Sequence, residues 1–146
     1  MIKKLIQRWH SHLDMPKYDL EWHKQDVCDE LEELKEAKGL ICKWSELSDV
    51  VYCSTRAEWS GHKNIEYPFG KLSLLVGSLY MFPKYMLRWK FFRVLGKRFD
   101  KDLKITEVRN PQKVEKLKNI AEKYSLNPED FKCEAQKLMK RWVFLK

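Results

Sequence analysis

The chain has 146 residues, with 29 Lys and Arg against 21 Asp and Glu, which gives a formal net charge of +8. This length fits one domain, or one domain with a small appendage. Only five Gly and five Pro are present, and long alternating runs of Val, Ile and Thr are missing, so the composition predicts an all-α fold and disfavours a β-sandwich or barrel. The positive charge permits a polyanionic partner such as a nucleotide, nucleic acid or an anionic membrane, without selecting one.

The cysteines and the N-terminal segment indicate the cellular compartment in which we expect the protein. Cys28, Cys42, Cys53 and Cys133 form no CxxC pair and have no His at zinc-finger spacing. Scattered cysteines of this kind are typical of reduced thiols in the cytosol, and the N-terminal segment has no continuous apolar core of the signal-peptide kind. The longest apolar run, 72–82, falls well short of the roughly 20 residues that span a bilayer. We therefore expect a cytoplasmic protein without a membrane span.

A short basic helix is expected over 2–13, and two helices after it are expected to form an antiparallel hairpin. The first of the pair covers 19–38, because four apolar positions share one stripe at helical spacing: Leu20, Val27, Leu31 and Leu34. Gly39 is expected to end this helix with a left-handed turn. Ser45 is expected to cap the next helix, which stops near Gly61. A short connection makes the two helices neighbours.

The rest of the chain is predicted to be helical as well. Residues 72–99 predict a long helix with a break or kink at Pro83. Its second half carries apolar side chains on two sides, and such a helix is usually buried on two sides, here by a subunit partner. Asn110-Pro111 and Asn127-Pro128 each place an N-cap before a proline at the start of a further helix. We divide the chain into an all-α core, 1–104, and a C-terminal helical hairpin, 105–146.

Acidic residues are expected on the faces that the hairpin helices turn towards each other. A helix advances about 100° per residue, which places three acidic residues of the first helix beside its apolar stripe: Asp26, Glu30 and Glu33. Glu46 and Asp49 lie on or beside the inner face of the next helix. Carboxylates held together there repel one another unless a cation or protons compensate, and oxygen-only ligands favour Mg²⁺ or Mn²⁺ over zinc. The alternative is an ordinary solvated helix face.

The same residues carry a family resemblance. DELEELKEA followed by ELSDVV resembles the signature of the MazG-like all-α nucleoside triphosphate pyrophosphohydrolases, in which ExxE precedes ExxD. Here Glu30-x-x-Glu33 is followed, after twelve residues, by Glu46-x-x-Asp49, and the resemblance covers about 19–57. It implies that these four carboxylates bind Mg²⁺, that a nucleotide is cleaved to its monophosphate and pyrophosphate, and that the protein is a dimer or tetramer.

Other side chains are candidates for roles in the same reaction. Asp29 or Glu33 could accept the proton of the attacking water. Arg56 could bind a phosphate or pair with Asp49, since a guanidinium serves both roles. Trp22 could stack on the base of the nucleotide, or it could be a core residue at the edge of an amphipathic helix.

Two segments favour a non-catalytic alternative, a protein that binds nucleic acid or another partner. The segment 84–104 interleaves aromatic and basic residues, as in proteins that bind single-stranded nucleic acid or lie on anionic membranes. It could equally supply the cationic wall of a nucleotide pocket. The C-terminal KNIAEKYSLNPEDFKCEAQKL has the spacing of a helix-turn-helix, but its second helix opens with Glu129 and Asp130. Acidic residues there fit the positive end of a helix better than they fit DNA phosphates.

Overall fold

The computed structural model describes residues 2–13, 15–63, 65, 68–142 and 145. In these residues all regular structure is helical: α1 (Ile2–His12), α2 (Leu20–Glu36), α3 (Leu40–Trp59), α4 (Lys71–Lys97), a 3₁₀ helix (Ile105–Glu107), α5 (Val114–Lys123) and α6 (Pro128–Met139). The prediction of an all-α fold is confirmed. None of the helices in this part of the chain has the length and apolar character needed to cross a membrane.

The chain divides into two compact units, Met1–Pro83 and Lys84–Lys146. The division falls inside α4, which runs on through Pro83 where the sequence predicted a break or kink. The basic aromatic segment after Pro83 therefore belongs to the second unit. The sequence analysis had included that segment in the all-α core, 1–104, with the boundary at residue 104.

The first unit is built around the α2–α3 hairpin. Val27 of α2 and Cys53 and Ala57 of α3 form its buried core, together with Ile65. Helix α1 packs on α3 and buries Ile6 and His10. The first half of α4 approaches α3 closely, because a Cβ added at Gly77 would lie 2.7 Å from Val51 Cγ2.

The connection in the hairpin is shorter than the sequence predicted. Asp19 caps α2 by accepting a hydrogen bond from the backbone N–H of Trp22 at 2.8 Å, and α2 ends at Glu36. Gly39, with φ +85°, immediately precedes α3, which begins at Leu40. The predictions that Gly39 ends α2 and that Ser45 caps α3 were wrong. The residues between them carry no Gly or Pro and favour helix, so Ser45 lies buried inside α3.

The second unit has its own core, to which the second half of α4, α5 and α6 contribute. Its fully buried members include Phe91, Phe92, Leu95, Leu117, Ile120, Ala121, Phe131, Ala135 and Leu138. In the single chain, Met86 is 37% and Val94 38% exposed on this half of α4, so the burial of its second side by a subunit partner stays a prediction. Phe91 and Phe92 belong to one buried face, because the two rings meet edge to face with centroids 5.4 Å apart.

The two Asn-Pro signals have different outcomes. Asn127 caps α6, because its side chain accepts hydrogen bonds from the backbone N–H groups of Glu129 and Asp130, as predicted. Asn110 does not start α5. Its side chain accepts a hydrogen bond from the backbone N–H of Gln112 at 3.0 Å, which forms a local turn, and α5 begins only at Val114.

Candidate metal centre

The hairpin brings carboxylates of α2 and α3 together. Glu30 and Glu33 lie one turn apart on α2, and Glu46 lies on the adjacent helix α3. Each of the three offers a carboxylate oxygen, and these oxygens lie within 4.8 Å of one another. Glu30 and Glu46 are half-buried, whereas Glu33 is exposed. Three of the four ligands predicted from the sequence therefore form one group that is open on the Glu33 side.

Asp49, the fourth predicted ligand, lies outside this group of three and is half-buried on α3. It is close to the thiol of Cys53, which is 6% exposed. Burial raises the pKa of that thiol well above its usual value, and the negative charges of Asp26, Glu30 and Asp49 raise it further. These three carboxylates thus act electrostatically on one buried thiol, and Glu30 is also a member of the group of three.

Asp26 extends the acidic surface one turn towards the start of α2. Its Oδ2 atom is buried and has no hydrogen-bond partner in the described part of the chain. A carboxylate oxygen removed from water without a partner is unfavourable unless a proton or a cation compensates. This desolvated oxygen and the oxygen-only group beside it fit a hard divalent cation, which prefers carboxylate ligands.

The two predicted proton acceptors lie in different places. Asp29 is exposed on the outer side of α2, where it accepts a hydrogen bond from Gln25 Nε2 at 2.6 Å. Glu33 is exposed as well, but its carboxylate belongs to the group of three. Only Glu33 therefore combines access to solvent with a position in the carboxylate group.

Arg56 and Trp22 lie together at one edge of the hairpin. The Trp22 ring stacks on Tyr18 with centroids 4.1 Å apart and stays 37% exposed. The Arg56 guanidinium carbon lies 4.9 Å from the Trp22 centroid and 5.2 Å from that of Tyr18. Arg56 Nη2 also donates a hydrogen bond to the carbonyl of Pro16 at 3.0 Å. The guanidinium therefore fastens the segment before α2 to α3.

Histidines complete this edge of the hairpin. His23 is fully buried, and its ring lies 5.1 Å from Trp22 and 5.4 Å from His62, centroid to centroid. Burial lowers the pKa of His23, and the positive charge of Arg56 and then that of His62 lower it further. His23 is therefore held neutral beside the guanidinium.

The sequence interpretation placed Asp26 beside Glu30 and Glu33 without making it a metal ligand, and it assigned no role to Cys53, Tyr18 or His62. Asp26 had a detectable signal, because it lies four residues before Glu30 and so one turn away on the same face. Cys53 lies four residues after Asp49 in the same way. Tyr18 and His62 lie outside the helices, where no periodic pattern could have placed them.

Comparison of this chain with protein-family models, with curated proteins and with solved structures finds no match. The fold and the carboxylate group of α2 and α3 therefore stand on the sequence and the structure of this chain.

Proposed function

We propose that the chain is a Mg²⁺-dependent nucleotide pyrophosphohydrolase that cleaves a nucleoside triphosphate to its monophosphate and pyrophosphate. The observation that carries the proposal is the convergence of Glu30, Glu33 and Glu46 from two adjacent helices, with ligand oxygens within 4.8 Å of one another. The resemblance to the MazG-like ExxE and ExxD motifs supports the same residues and adds Asp49.

The four carboxylates would share the work. Glu30, Glu33, Glu46 and Asp49 would hold Mg²⁺, or Mn²⁺ in its place, and the bound ion would neutralise phosphate oxygens and lower the pKa of a water molecule. Glu33 is the better placed proton acceptor, because it belongs to the carboxylate group and faces solvent. Asp29 is the second candidate for that role, and it would have to exchange its hydrogen bond with Gln25.

Trp22 and Arg56 would act on the substrate in different ways. Trp22 keeps over a third of its surface exposed, which leaves an aromatic surface on which a nucleotide base could stack. Arg56 is 8% exposed and already contacts Pro16, Tyr18 and Trp22. We therefore assign Arg56 a positioning role, in which it holds the Trp22 ring, in place of direct phosphate binding.

A homo-oligomer would complete the nucleotide site. Large apolar side chains are exposed on the neighbouring helices α3 and α4 of the first unit: Leu40, Ile41, Trp44, Leu72, Leu75 and Leu79. The Trp44 and Tyr80 rings lie 6.5 Å apart, centroid to centroid, and link the two helices at this surface. Exposed apolar surface of this kind marks association sites. A dimer or tetramer that buries it would lose stability in an Ile41→Glu, Leu79→Glu variant, measured by analytical ultracentrifugation.

Pyrophosphate release from a panel of nucleoside triphosphates, with and without Mg²⁺, tests the reaction. Glu33→Gln and Asp49→Asn should each lower the rate on the order of a hundredfold or more, because the carboxylates would hold the ion. Both variants should keep or gain thermal stability, since each removes one of several neighbouring negative charges. Glu32→Gln, an exposed carboxylate of α2 outside the group, is the matched control and should keep its rate.

A second readout is independent of the substrate. Mg²⁺ should raise the melting temperature of the unmodified chain and of Glu32→Gln, and should raise it much less in Glu33→Gln. The proposal is wrong if no nucleotide yields pyrophosphate and Mg²⁺ or Mn²⁺ leaves the melting temperature unchanged. Two stable, inactive variants with an active parent would support it.

A further inference from the structure

We infer that the second unit, Lys84–Lys146, binds single-stranded nucleic acid through the exposed face of α4, an activity separate from the hydrolysis proposed for the first unit. The charge of the chain is divided unequally between the units. Residues 1–83 carry 11 Lys and Arg against 13 Asp and Glu, a net charge of −2, whereas residues 84–146 carry 18 against 8, a net charge of +10. The overall charge of +8 is therefore a property of the second unit.

The exposed cations in the second half of α4 lie on one face, whereas Lys84 and Arg88 are buried. A helix advances about 100° per residue, so an arc of roughly 60° on α4 contains Met86, Lys90, Arg93 and Lys97. All four are exposed. The segment 84–99 contains no Asp or Glu. We call these four residues the α4 stripe.

The packing of the second unit keeps the α4 stripe facing the solvent. Phe91, Phe92 and Leu95 lie on the opposite side of the helix and are at most 1% exposed in the core that α5 and α6 share. The helix cannot turn its basic face inwards without exposing these three side chains. The α4 stripe is therefore a fixed surface of the unit.

The cations of the α4 stripe differ from others of the same unit. Arg98 pairs with Glu134 at 2.5 Å, Lys137 pairs with the same carboxylate at 2.7 Å, and Lys123 pairs with Glu107. Within the described residues, Lys90, Arg93 and Lys97 pair with no carboxylate. Three neighbouring, uncompensated charges attract a polyanion, and a second copy of the same surface would be repelled.

An aromatic ring beside the α4 stripe favours single strands. Trp89 lies at its edge, half-buried, with the Arg93 guanidinium carbon 5.6 Å from the ring centroid. Basic side chains beside an aromatic ring offer the two contacts that single strands use, because the cations attract phosphates and every base has a face that can stack. Duplex DNA is less favoured, since α6 opens with the exposed carboxylates Glu129 and Asp130 where a recognition helix meets phosphates.

A membrane surface is also less favoured. A helix that lies in the interface of a bilayer buries a broad apolar face among the lipids. The large apolar side chains of this part of α4, Phe91, Phe92 and Leu95, are already buried in the protein core. Only Met86 and Val94 remain as exposed apolar residues of this half of the helix.

Fluorescence anisotropy of the full chain with a labelled 20-nucleotide single strand of mixed sequence, over a range of salt concentrations, tests the inference. The triple variant Lys90→Gln, Arg93→Gln, Lys97→Gln should bind the strand more weakly, on the order of tenfold to a hundredfold, near 0.1 M salt. It should also reduce the slope of log K against log salt by about 2, since each lost phosphate contact contributes roughly 0.7. Trp89→Leu should weaken binding on the order of tenfold without changing the salt slope.

A control with the same loss of charge separates the α4 stripe from general basicity. The control is the triple variant Lys116→Gln, Lys140→Gln, Arg141→Gln. It removes two lysines and one arginine, all exposed, from other parts of the second unit, and it should change affinity less than threefold. Circular dichroism melts must show that both triple variants remain folded. A control that weakens binding as much as the α4 variant, tighter binding to a 20-base-pair duplex, or binding only to vesicles rich in phosphatidylserine would overturn the inference. A failure of nucleotide hydrolysis has no bearing on it.

Discussion

The Arg56 guanidinium carbon lies 4.9 Å from the centroid of the Trp22 ring, and Arg56 Nη2 donates a hydrogen bond to the Pro16 carbonyl at 3.0 Å. One side chain of α3 therefore holds both the start of α2 and the segment before it. A desolvated cation over an aromatic ring contributes up to about 2 kcal/mol, and a hydrogen bond from a charged group adds about 1.5–3 kcal/mol.

Arg56→Ala should therefore lower the free energy of unfolding by about 3 kcal/mol, measured by urea denaturation. Arg56→Lys should recover only part of this loss, because a compact ammonium cannot contact both rings and reach Pro16 as well. Arg8→Ala, an exposed arginine of α1, is the control and should stay within about 0.5 kcal/mol of the parent. Equal stability of Arg56→Ala and the parent would show that these contacts contribute nothing.

Gly77 lies where α4 contacts α3, and it is the most closely packed glycine of the first unit. Alanine normally stabilises a helix interior by about 1 kcal/mol relative to glycine. At Gly77 the added Cβ would lie 2.7 Å from Val51 Cγ2 and 3.1 Å from the Leu47 carbonyl oxygen. We expect Gly77→Ala to destabilise the protein by about 1–3 kcal/mol instead, as an overpacked contact.

Thermal melts of Gly77→Ala, Val51→Ala and the double variant measure this contact. The double variant should be more stable than the sum of the two single losses predicts, because Val51→Ala removes the nearest clashing atom. Gly70→Ala is the matched control, since nothing lies within 4 Å of a Cβ built there. A stabilised Gly77→Ala would mean that the two helices can move apart without cost.

His10 should make the stability of the chain depend on pH. It is fully buried against Tyr52, with ring centroids 4.6 Å apart, and burial, followed by the charge of Arg56, lowers its pKa to about 4. An unfolded histidine titrates near 6.5, so between these values the unfolded chain binds more protons. The stabilising contribution of neutral His10 is complete above pH 6.5 and is lost as the pH falls towards 4.

The lost contribution is about 3 kcal/mol at pH 4 by linkage. Urea denaturation of His10→Phe, which keeps a ring against Tyr52, should show a flatter dependence of stability on pH between 6.5 and 4. His23, whose pKa is lowered in the same direction, should leave a residual slope. His12→Phe, at an exposed position of the same helix, should retain the slope of the parent. An unchanged slope in His10→Phe would contradict this assignment.

The four cysteines should react with iodoacetamide at two distinct rates. Cys28, Cys42 and Cys133 are exposed, whereas Cys53 is buried and its pKa is raised well above the usual value. The thiolate is the reactive form, so Cys53 should be alkylated only when the protein unfolds. Mass spectrometry of the native protein should show three rapid additions, and a fourth only in denaturant. Rapid alkylation of Cys53 in the native state would show that the acidic face of the hairpin opens.

The sequence predicted the helices of this fold better than it predicted their ends. Apolar spacing on α2 and α6 identified side chains that are buried, such as Val27 and Phe131, because burial decides that pattern. Capping signals are local and ambiguous. After Asn127 the first turn contains Glu129 and Asp130, which favour the positive end of a helix, whereas Lys113 at the same distance from Asn110 does not.

The candidate site shows the same contrast. Helical spacing alone placed Glu30, Glu33 and Glu46 on facing sides of two neighbouring helices, and the structure brings their oxygens together. The closeness of Asp49 to Cys53 follows from their spacing of four residues on α3, whereas the contacts of Arg56 with Pro16 and Tyr18 depend on tertiary packing. No periodic pattern records contacts between a helix and an irregular segment, so these could not be predicted.

Pro83 interrupts the backbone hydrogen bonding of α4 and so affects amide exchange along this helix. Proline has no amide hydrogen, so the carbonyl of Leu79, one turn earlier, receives no helical hydrogen bond. This missing hydrogen bond lies at the point in the chain where the two compact units divide. Deuterium uptake along this one continuous helix should therefore fall into two blocks, each exchanging at the rate of the unit to which it belongs.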